Sequence, residues 1–410
     1  MFNVFYWFII IFFALNFIWE QTLDTLNKKR MTPEMPEELN GIYDAQKYAR
    51  QQSYQKENYR FAFISGTFFF TISLFILLFG LIGMFDELLR NYIGGFMTLP
   101  LAFFLSFMLA SGLANIPFAW YHTFVIEERF GFNKSSKALF AADTVKSILL
   151  KLVISAVFLS VMLIMYYYTG KYFWITAWAA VAFISIVISL FYSEWIVPLF
   201  NKQTPLEEGE LKNAILSFAE QAGFTAGSIY VMDASKRSTK ANAYFTGFGK
   251  KKRIILFDTL IEQLTVKETV AVLAHEVGHY KKKHVLLNLL MSISSLAMTF
   301  YLMSLFLDNQ ELAEALGGKV ASFHLGFIGF MCIFRPVSAL LGLVTNCISR
   351  RYEYQADAFT VKYGLGEDQI SALRKISSQA LSNMNPHPWV VFWRYSHPTL
   401  LQRMKKIRES

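Results

Sequence analysis

The chain has 410 residues, of which 54% are hydrophobic, 17% aromatic and only 17% charged, a balance that excludes an array of two or three ordinary soluble domains. Its formal charge of +9 invites a nucleic-acid partner, but the placement of the basic residues excludes that reading. The two cysteines, Cys332 and Cys347, both lie in the last hydrophobic run and exclude a disulfide framework or a thiolate metal site.

In chain order, uncharged runs occupy 2–19, 61–84, 91–126, 152–170, 172–193, 285–307 and 320–349, the last interrupted only by Arg335. Roughly 20 helical residues cross ~30 Å of hydrocarbon, so each run predicts one transmembrane helix and the chain seven. Phe2–Trp19 reads as the first span, not a signal peptide, because no basic segment precedes it and no small-x-small site follows. Gly94-Gly95 and Pro100 predict a short re-entrant or interfacial piece before a helix near 99–121. Asn115, His122, Asn288, His324, Arg335 and Asn346 are costly facing lipid and should face protein or a water-filled interior.

Segments 20–60, 127–151, 194–284 and 349–410 hold 35 of the 39 Lys and Arg residues. They alternate with basic-poor segments along the seven-span chain, so the positive-inside rule makes them cytosolic and puts the N-terminus outside. Basicity here reports topology, not nucleic acid. Lys250-Lys251-Lys252-Arg253 reads as a solvated cytosolic face, with anionic headgroups as the alternative.

Within 194–284, Thr204-Pro205 predicts the start of a helix that Gly223 ends. "SIYVMDA", "NAYFTGFG" and "KRIILFD" then predict three strands of a small antiparallel sheet. Gly247-x-Gly249 is no phosphate loop, because a strand follows it. "TVAVLAHEVGHYKKKHVLLNLLMS" reads as one continuous element, running from the HEVGH turn through Lys281–Lys283 into the sixth span.

On a helix, His275 and His279 stand about 40° apart and can share one zinc ion, while Glu276 is rotated by about 100° and is free to act on bound water. A third ligand is needed. Runs 285–307 and 320–349 are joined by only "LDNQELAEALGGKVAS", which predicts antiparallel neighbours and brings Glu353, just past the seventh span, beside the two histidines. Asp357, one turn on, is placed to accept from the non-ligating nitrogen of a ligand histidine. His284, His122, His324 and His387 have no spacing partner and read as structural. The chain thus divides into 1–193, five spans with their loops; 194–284, the first part of a catalytic domain; 285–349, spans six and seven; and 350–410, its second part.

HEVGH together with RYEYQAD resembles the type I CAAX prenyl protease family, integral-membrane zinc endopeptidases of gluzincin type. "PLFNKQTPLEEGELKNAI", "NAYFTGFGKKKRIILFDTL" and "NPHPWVVFWRYSHPTLLQR" extend the likeness over nearly the whole chain. It implies zinc on His275, His279 and Glu353, Glu276 as general base, a substrate-contacting Asn242, and His397 and Arg403 near the scissile bond. It also implies seven helices around a water-filled chamber, with the zinc on the cytosolic side.

The residues themselves support the outer members unevenly. Asn242 and Ala243 open a strand on which an extended peptide could pair, but an ordinary turn asparagine fits equally. His397 precedes Pro398, read as the first residue of a helix, and from there could donate to an oxyanion.

The expected protein is therefore a mainly α, multi-pass membrane enzyme of the bacterial inner membrane or the endoplasmic reticulum. It would carry one zinc ion and act on a lipidated or membrane-associated peptide or protein, removing the C-terminal tripeptide of prenylated substrates. Proteolytic quality control of membrane or secretory proteins is the variant within the class, and a metal-binding seven-helix transporter the alternative outside it.

Overall fold

The computed structural model describes all residues except 1, 33, 225–226 and 247–252; Lys250–Lys252, read as part of a solvated cytosolic face, and the Gly247-x-Gly249 pair lie outside the described residues. Six helices fill the first half: α1 (Val4–Lys29), α2 (Ala45–Leu78), α3 (Leu81–Arg90), α4 (Thr98–Tyr121), α5 (Lys137–Thr169) and α6 (Phe173–Phe191). α4 starts where the glycine pair and Pro100 predicted, and runs on through a π-helical turn over His122–Glu127.

The second half contains strands β1 (Gln203–Pro205), β2 (Ser228–Met232), β3 (Ala243–Thr246) and β4 (Arg253–Phe257), with helix α7 (Glu210–Gln221) between β1 and β2. Then follow α8 (Asp258–Gln263), α9 (Val266–Lys281), α10 (His284–Ser304), α11 (Gln310–Ala315), α12 (Phe323–Ile333), α13 (Arg335–Lys362), α14 (Gly366–Gln379), α15 (Pro388–Arg394) and α16 (Leu400–Glu409).

Among the described residues, five segments are long and apolar enough to cross a membrane, or six with α12 and α13, which bend by 55° at their junction, taken as one. One of the five, Lys137–Leu199, contains both α5 and α6, which pack on each other across a turn at Gly170–Tyr172. Few residues in the most apolar stretches of the five are buried within the protein, which leaves their outer apolar faces for lipid to cover. Its main apolar core lies at one end, where Tyr6, Ile82, Phe103, Leu163, Phe173, Phe300, Leu312 and Phe330 meet. There α3 touches the loop after α11 so closely that a Cβ on Gly83 would lie 2.0 Å from the Gly317 carbonyl carbon.

A second core, around Ile215, Ile254, Leu256, Leu260, Ala274, Val277 and Ala372, packs the sheet, α7, α9 and α14 together. The sheet has order β1-β2-β4-β3. It is mixed, not antiparallel as expected: β2 and β4 pair in parallel, Ile229 opposite Ile254 and Val231 opposite Leu256, and Ile229, Ile254 and Leu256 enter this core. Thr204-Pro205 does not begin a helix. It forms the antiparallel edge strand β1 against Tyr230 and Val231, and α7 starts only after Gly209.

Two further expectations are corrected. The HEVGH element does not run on into the next span, because Lys283 adopts a left-handed conformation (φ 61°, ψ 24°) that ends α9 and starts α10 in a new direction. α10 packs chiefly against α6, not α13. Between α10 and α13 lies a polar-lined cavity of about 370 Å³ bounded by Asn288, Ser292, Ser295, Thr299, Thr345 and Ser349.

The polar residues within the helices find partners by several means. His324 is fully buried against Asp86 at 2.6 Å, His122 Nε2 lies 3.0 Å from Asn58 Oδ1, and Asn346 donates to the Trp393 carbonyl. Asn115 lines a cavity between α4 and α5, and the Arg335 guanidinium lies over the Phe13 ring.

Candidate metal centre and active site

α9 is built to hold a fixed position. Thr265 and Glu268 form a reciprocal capping box at its start, satisfying backbone donors that would otherwise be orphaned. Glu268 also binds Ser371 and Lys375 of α14, at 2.6 and 2.7 Å. Burial raises the Glu268 pKa, but these bonds and the Thr265 amide outweigh it and hold the carboxyl down at about 2.

One turn from its end, α9 meets α13. The contact is close because Gly278 has no side chain: a Cβ there would lie 3.0 Å from Phe359 Cβ and 3.1 Å from Ala356 Cα. Glu353 therefore reaches the histidines through direct packing of α9 on α13, not through pairing of the two spans.

His275, His279 and Glu353 offer ligand atoms that all lie within 4.8 Å of one another. The Nε2 atoms of the two histidines are 3.1 Å apart, and Glu353 places Oε2 at 3.3 Å from His275 and Oε1 at 3.3 Å from His279. His275 and Glu353 are buried.

The residues fit a metal. Glu353 Oε2 is buried and accepts no hydrogen bond, although Arg403 Nη1 stands 3.3 Å away. Burial and Arg403 lower the His275 pKa, yet the nearby Asp357 and Glu353 carboxylates prevail and push it up to about 9. The pocket thus favours positive charge, which a divalent cation supplies, and two imidazoles with a carboxylate form a donor set suited to zinc.

The other expected residues fall around this cluster. Asp357 Oδ1 lies 2.9 Å from His275 Nδ1. Arg403, also buried, is clamped on Asp357 by two hydrogen bonds of 2.9 and 2.6 Å. Glu276, half-buried, makes no side-chain hydrogen bond or ion pair among the described residues. His397 is well exposed, with Nε2 3.3 Å from Glu353 Oε1 and Nδ1 2.9 Å from Ser396 Oγ. It does not sit directly before a helix: Thr399 is the N-cap of α16, in a capping box with Gln402, and Pro398 precedes that cap.

Asn242 and Ala243 lie at the start of β3, the end strand of the sheet, which packs beside α9. The Asn242 side chain accepts from the Ala243 amide, and no side-chain contact among the described residues links it to the ligands. His284, which has no spacing partner in the sequence, proves to be a close neighbour of the ligands. Its Nδ1 lies 3.1 Å from His279 Nδ1 and its Nε2 2.8 Å from Gln355 Oε1.

Residues 24–202 match the family described as CAAX prenyl protease N-terminal, five membrane helices, and residues 205–410 match peptidase family M48. The chain belongs to peptidase family M48. It is 33% identical to the human protein called CAAX prenyl protease 1 homolog, with 98% of this chain and 94% of the human one covered. It is 37% identical to CAAX prenyl protease 1 of Saccharomyces cerevisiae, over 72% of this chain and 68% of that one. The crystal structure of S. mikatae Ste24p matches 99% of each chain with a TM-score of 0.93 at 29% identity. The protein is a membrane metalloendopeptidase, and membership of M48 excludes the transporter reading.

Proposed function

We propose that the chain is a zinc endopeptidase that removes the C-terminal tripeptide from prenylated proteins at the cytosolic face of the endoplasmic reticulum. The observation that carries the reading is the convergence of His275, His279 and Glu353 within 4.8 Å, with Glu276 on the same helix and free of hydrogen-bond partners among the described residues. The substrate class is supported by the names of the eukaryotic relatives.

Counting α5 and α6 separately and the bent α12–α13 as one gives seven spans, the number read from the hydrophobic runs. Concentration of Lys and Arg in the segments that carry α9 and α16 favours a cytosolic catalytic centre. The cavity between α10 and α13, lined largely by polar side chains, favours a water-filled interior.

When bound, zinc polarises the scissile carbonyl and lowers the pKa of an attacking water to about 7. Glu276 accepts the proton of that water and delivers it to the leaving amine. Asp357 holds the His275 ring by its Nδ1, and Arg403 holds Asp357, a supporting role in place of the substrate contact that the resemblance implies. His397, exposed beside the ligands, donates to the developing oxyanion. The outer edge of β3, at Asn242 and Ala243, receives the peptide backbone as an added strand.

The test is metal analysis of purified protein with cleavage assays of wild type and Glu276→Gln on prenylated and unprenylated peptides. One zinc in each protein, cleavage by wild type alone and preference for the prenylated peptide are expected. Equal cleavage by both proteins would remove Glu276 as the base, and indifference to the prenyl group would shift the reading to general membrane-protein proteolysis. Thiol labelling of Gln263→Cys and Gln310→Cys from opposite sides tests the topology, which same-side labelling would overturn.

A further inference from the structure

On an unbroken helix, His279 and His284 would be five residues apart and about 140° around the axis, facing different ways. The left-handed Lys283 removes that separation. It ends α9 and starts α10 at His284, so the imidazole lies against its neighbour with ring centroids 5.1 Å apart and the two Nδ1 atoms at 3.1 Å. A non-glycine residue in this conformation is strained by its Cβ, so the arrangement must be over-determined by what surrounds it. What surrounds it is α13: the His284 ring is 1% exposed, stacks on Tyr352 at 4.0 Å with 10° between planes, and meets Gln355 Oε1 at 2.8 Å. Tyr352 and Gln355 flank Glu353, the third ligand.

The direction of each hydrogen bond follows from the donor inventory. An amide oxygen only accepts, so His284 Nε2 carries a proton and donates it to Gln355. In a neutral imidazole the other nitrogen is then an acceptor, so His284 Nδ1 receives Nδ1–H of His279. That leaves His279 Nε2 with its lone pair directed at Glu353 and His275, as a ligand requires. The reverse amide orientation would set two N–H groups against each other at Nδ1.

We propose that His284 is a positioning residue for the metal: it fixes the orientation and tautomer of His279 and, through Gln355, ties the helix of the two histidine ligands to the helix of the carboxylate ligand. Asp357 performs the same task for His275, so each histidine ligand is held by its outer nitrogen from a different partner. This rests on the zinc reading above.

The test is chelator competition for zinc on the full-length, detergent-purified protein, comparing wild type, His284→Phe and His284→Asn. Phenylalanine keeps the aromatic stack on Tyr352 but cannot accept a hydrogen bond. Asparagine gives up the stack but sets its amide oxygen near the place of Nδ1. The phenylalanine variant should bind zinc about ten- to a hundredfold more weakly, the usual effect of losing a hydrogen bond to a ligand, while asparagine restores affinity to within about threefold, since it replaces that bond. Wild-type affinity in His284→Phe, or an equal loss in His284→Asn, would overturn the proposal. A wild-type protein that binds no zinc would instead overturn the metal reading itself.

Discussion

Arg403 grips both carboxylate oxygens of Asp357, Nε to Oδ2 at 2.9 Å and Nη2 to Oδ1 at 2.6 Å, and the pair is buried directly behind His275. Planar, bidentate contacts of this kind are the stronger charge-assisted hydrogen bonds, and their geometry fixes where the Asp357 carboxylate meets the imidazole. Removing one partner leaves the other charged and unpaired in the interior, which costs about 3–5 kcal/mol. Arg403→Met should therefore lower the thermal midpoint sharply, and the double variant Arg403→Met with Asp357→Leu should be less destabilised than the sum of the two single changes. Thermal unfolding of the four proteins in detergent checks this; simple additivity would show that the pair is not coupled.

Gly278 sets the distance between the ligand helices. In Gly278→Ala the new methyl meets Phe359 and Ala356 at 3.0–3.1 Å, and α13 must retreat by a few tenths of an ångström. Glu353 rides on α13, so zinc affinity should fall by several-fold, more than stability does; overpacking of this size typically costs about 1–3 kcal/mol. Metal retention on dialysis, measured beside the thermal midpoint, separates the two effects.

Glu268 should contribute to the acid sensitivity of the catalytic half. Its folded-state pKa, held at about 2, is below the ordinary 4.5, so its stabilisation is fully present above pH 4.5 and is lost as pH falls toward 2. The shift corresponds to about 2 kcal/mol after allowing for solvent screening at the partly exposed Lys375 ammonium. Wild type should be more stable than Glu268→Gln above pH 4.5, with the gap closing toward pH 2. A gap independent of pH would show that the capping hydrogen bonds, not the charge, carry the contribution.

Lys283 offers a backbone test of the ligand geometry. Glycine adopts positive φ freely, whereas a β-branched residue resists it. Lys283→Gly should bind zinc as wild type does, and Lys283→Val should lose affinity in the direction expected for His284→Phe. Equal zinc binding by both variants would mean that the break between α9 and α10 does not matter to the metal.

The sequence displayed the parts of this molecule that depend on short-range periodicity. HEVGH on a helix and Asp357 one turn beyond Glu353 follow from spacing along one element, and the structure places them as spacing requires, whereas the last hydrophobic run is not one straight helix but α12 and α13 bent by 55°. What it hid depends on chain reversal or on pairing between distant segments. β2 and β4 are about twenty residues apart, and nothing in "SIYVM" or "RIILF" distinguishes a parallel from an antiparallel neighbour, because both faces of the sheet are covered. Thr204-Pro205 carries a helix-start signal that pairing with β2 overrides. His284 looked partnerless because its partner exists only once Lys283 turns the backbone, and no turn residue announces that bend. Short linkage predicts that α10 and α13 pack together, but it is α9 that packs on α13, and the small residue at 278 is the signal of that contact.

The order of the ligands along the chain has a consequence for biosynthesis. His275 and His279 emerge from the ribosome before α10, α11 and α12, and Glu353 only after them. On the proposed ligand set and topology, the pocket lacks its carboxylate until both later apolar segments have been threaded into the bilayer and the chain has returned. On that reading proteolytic competence would be withheld until insertion is complete, and a chain stalled part-way would stay inert toward its neighbours in the membrane.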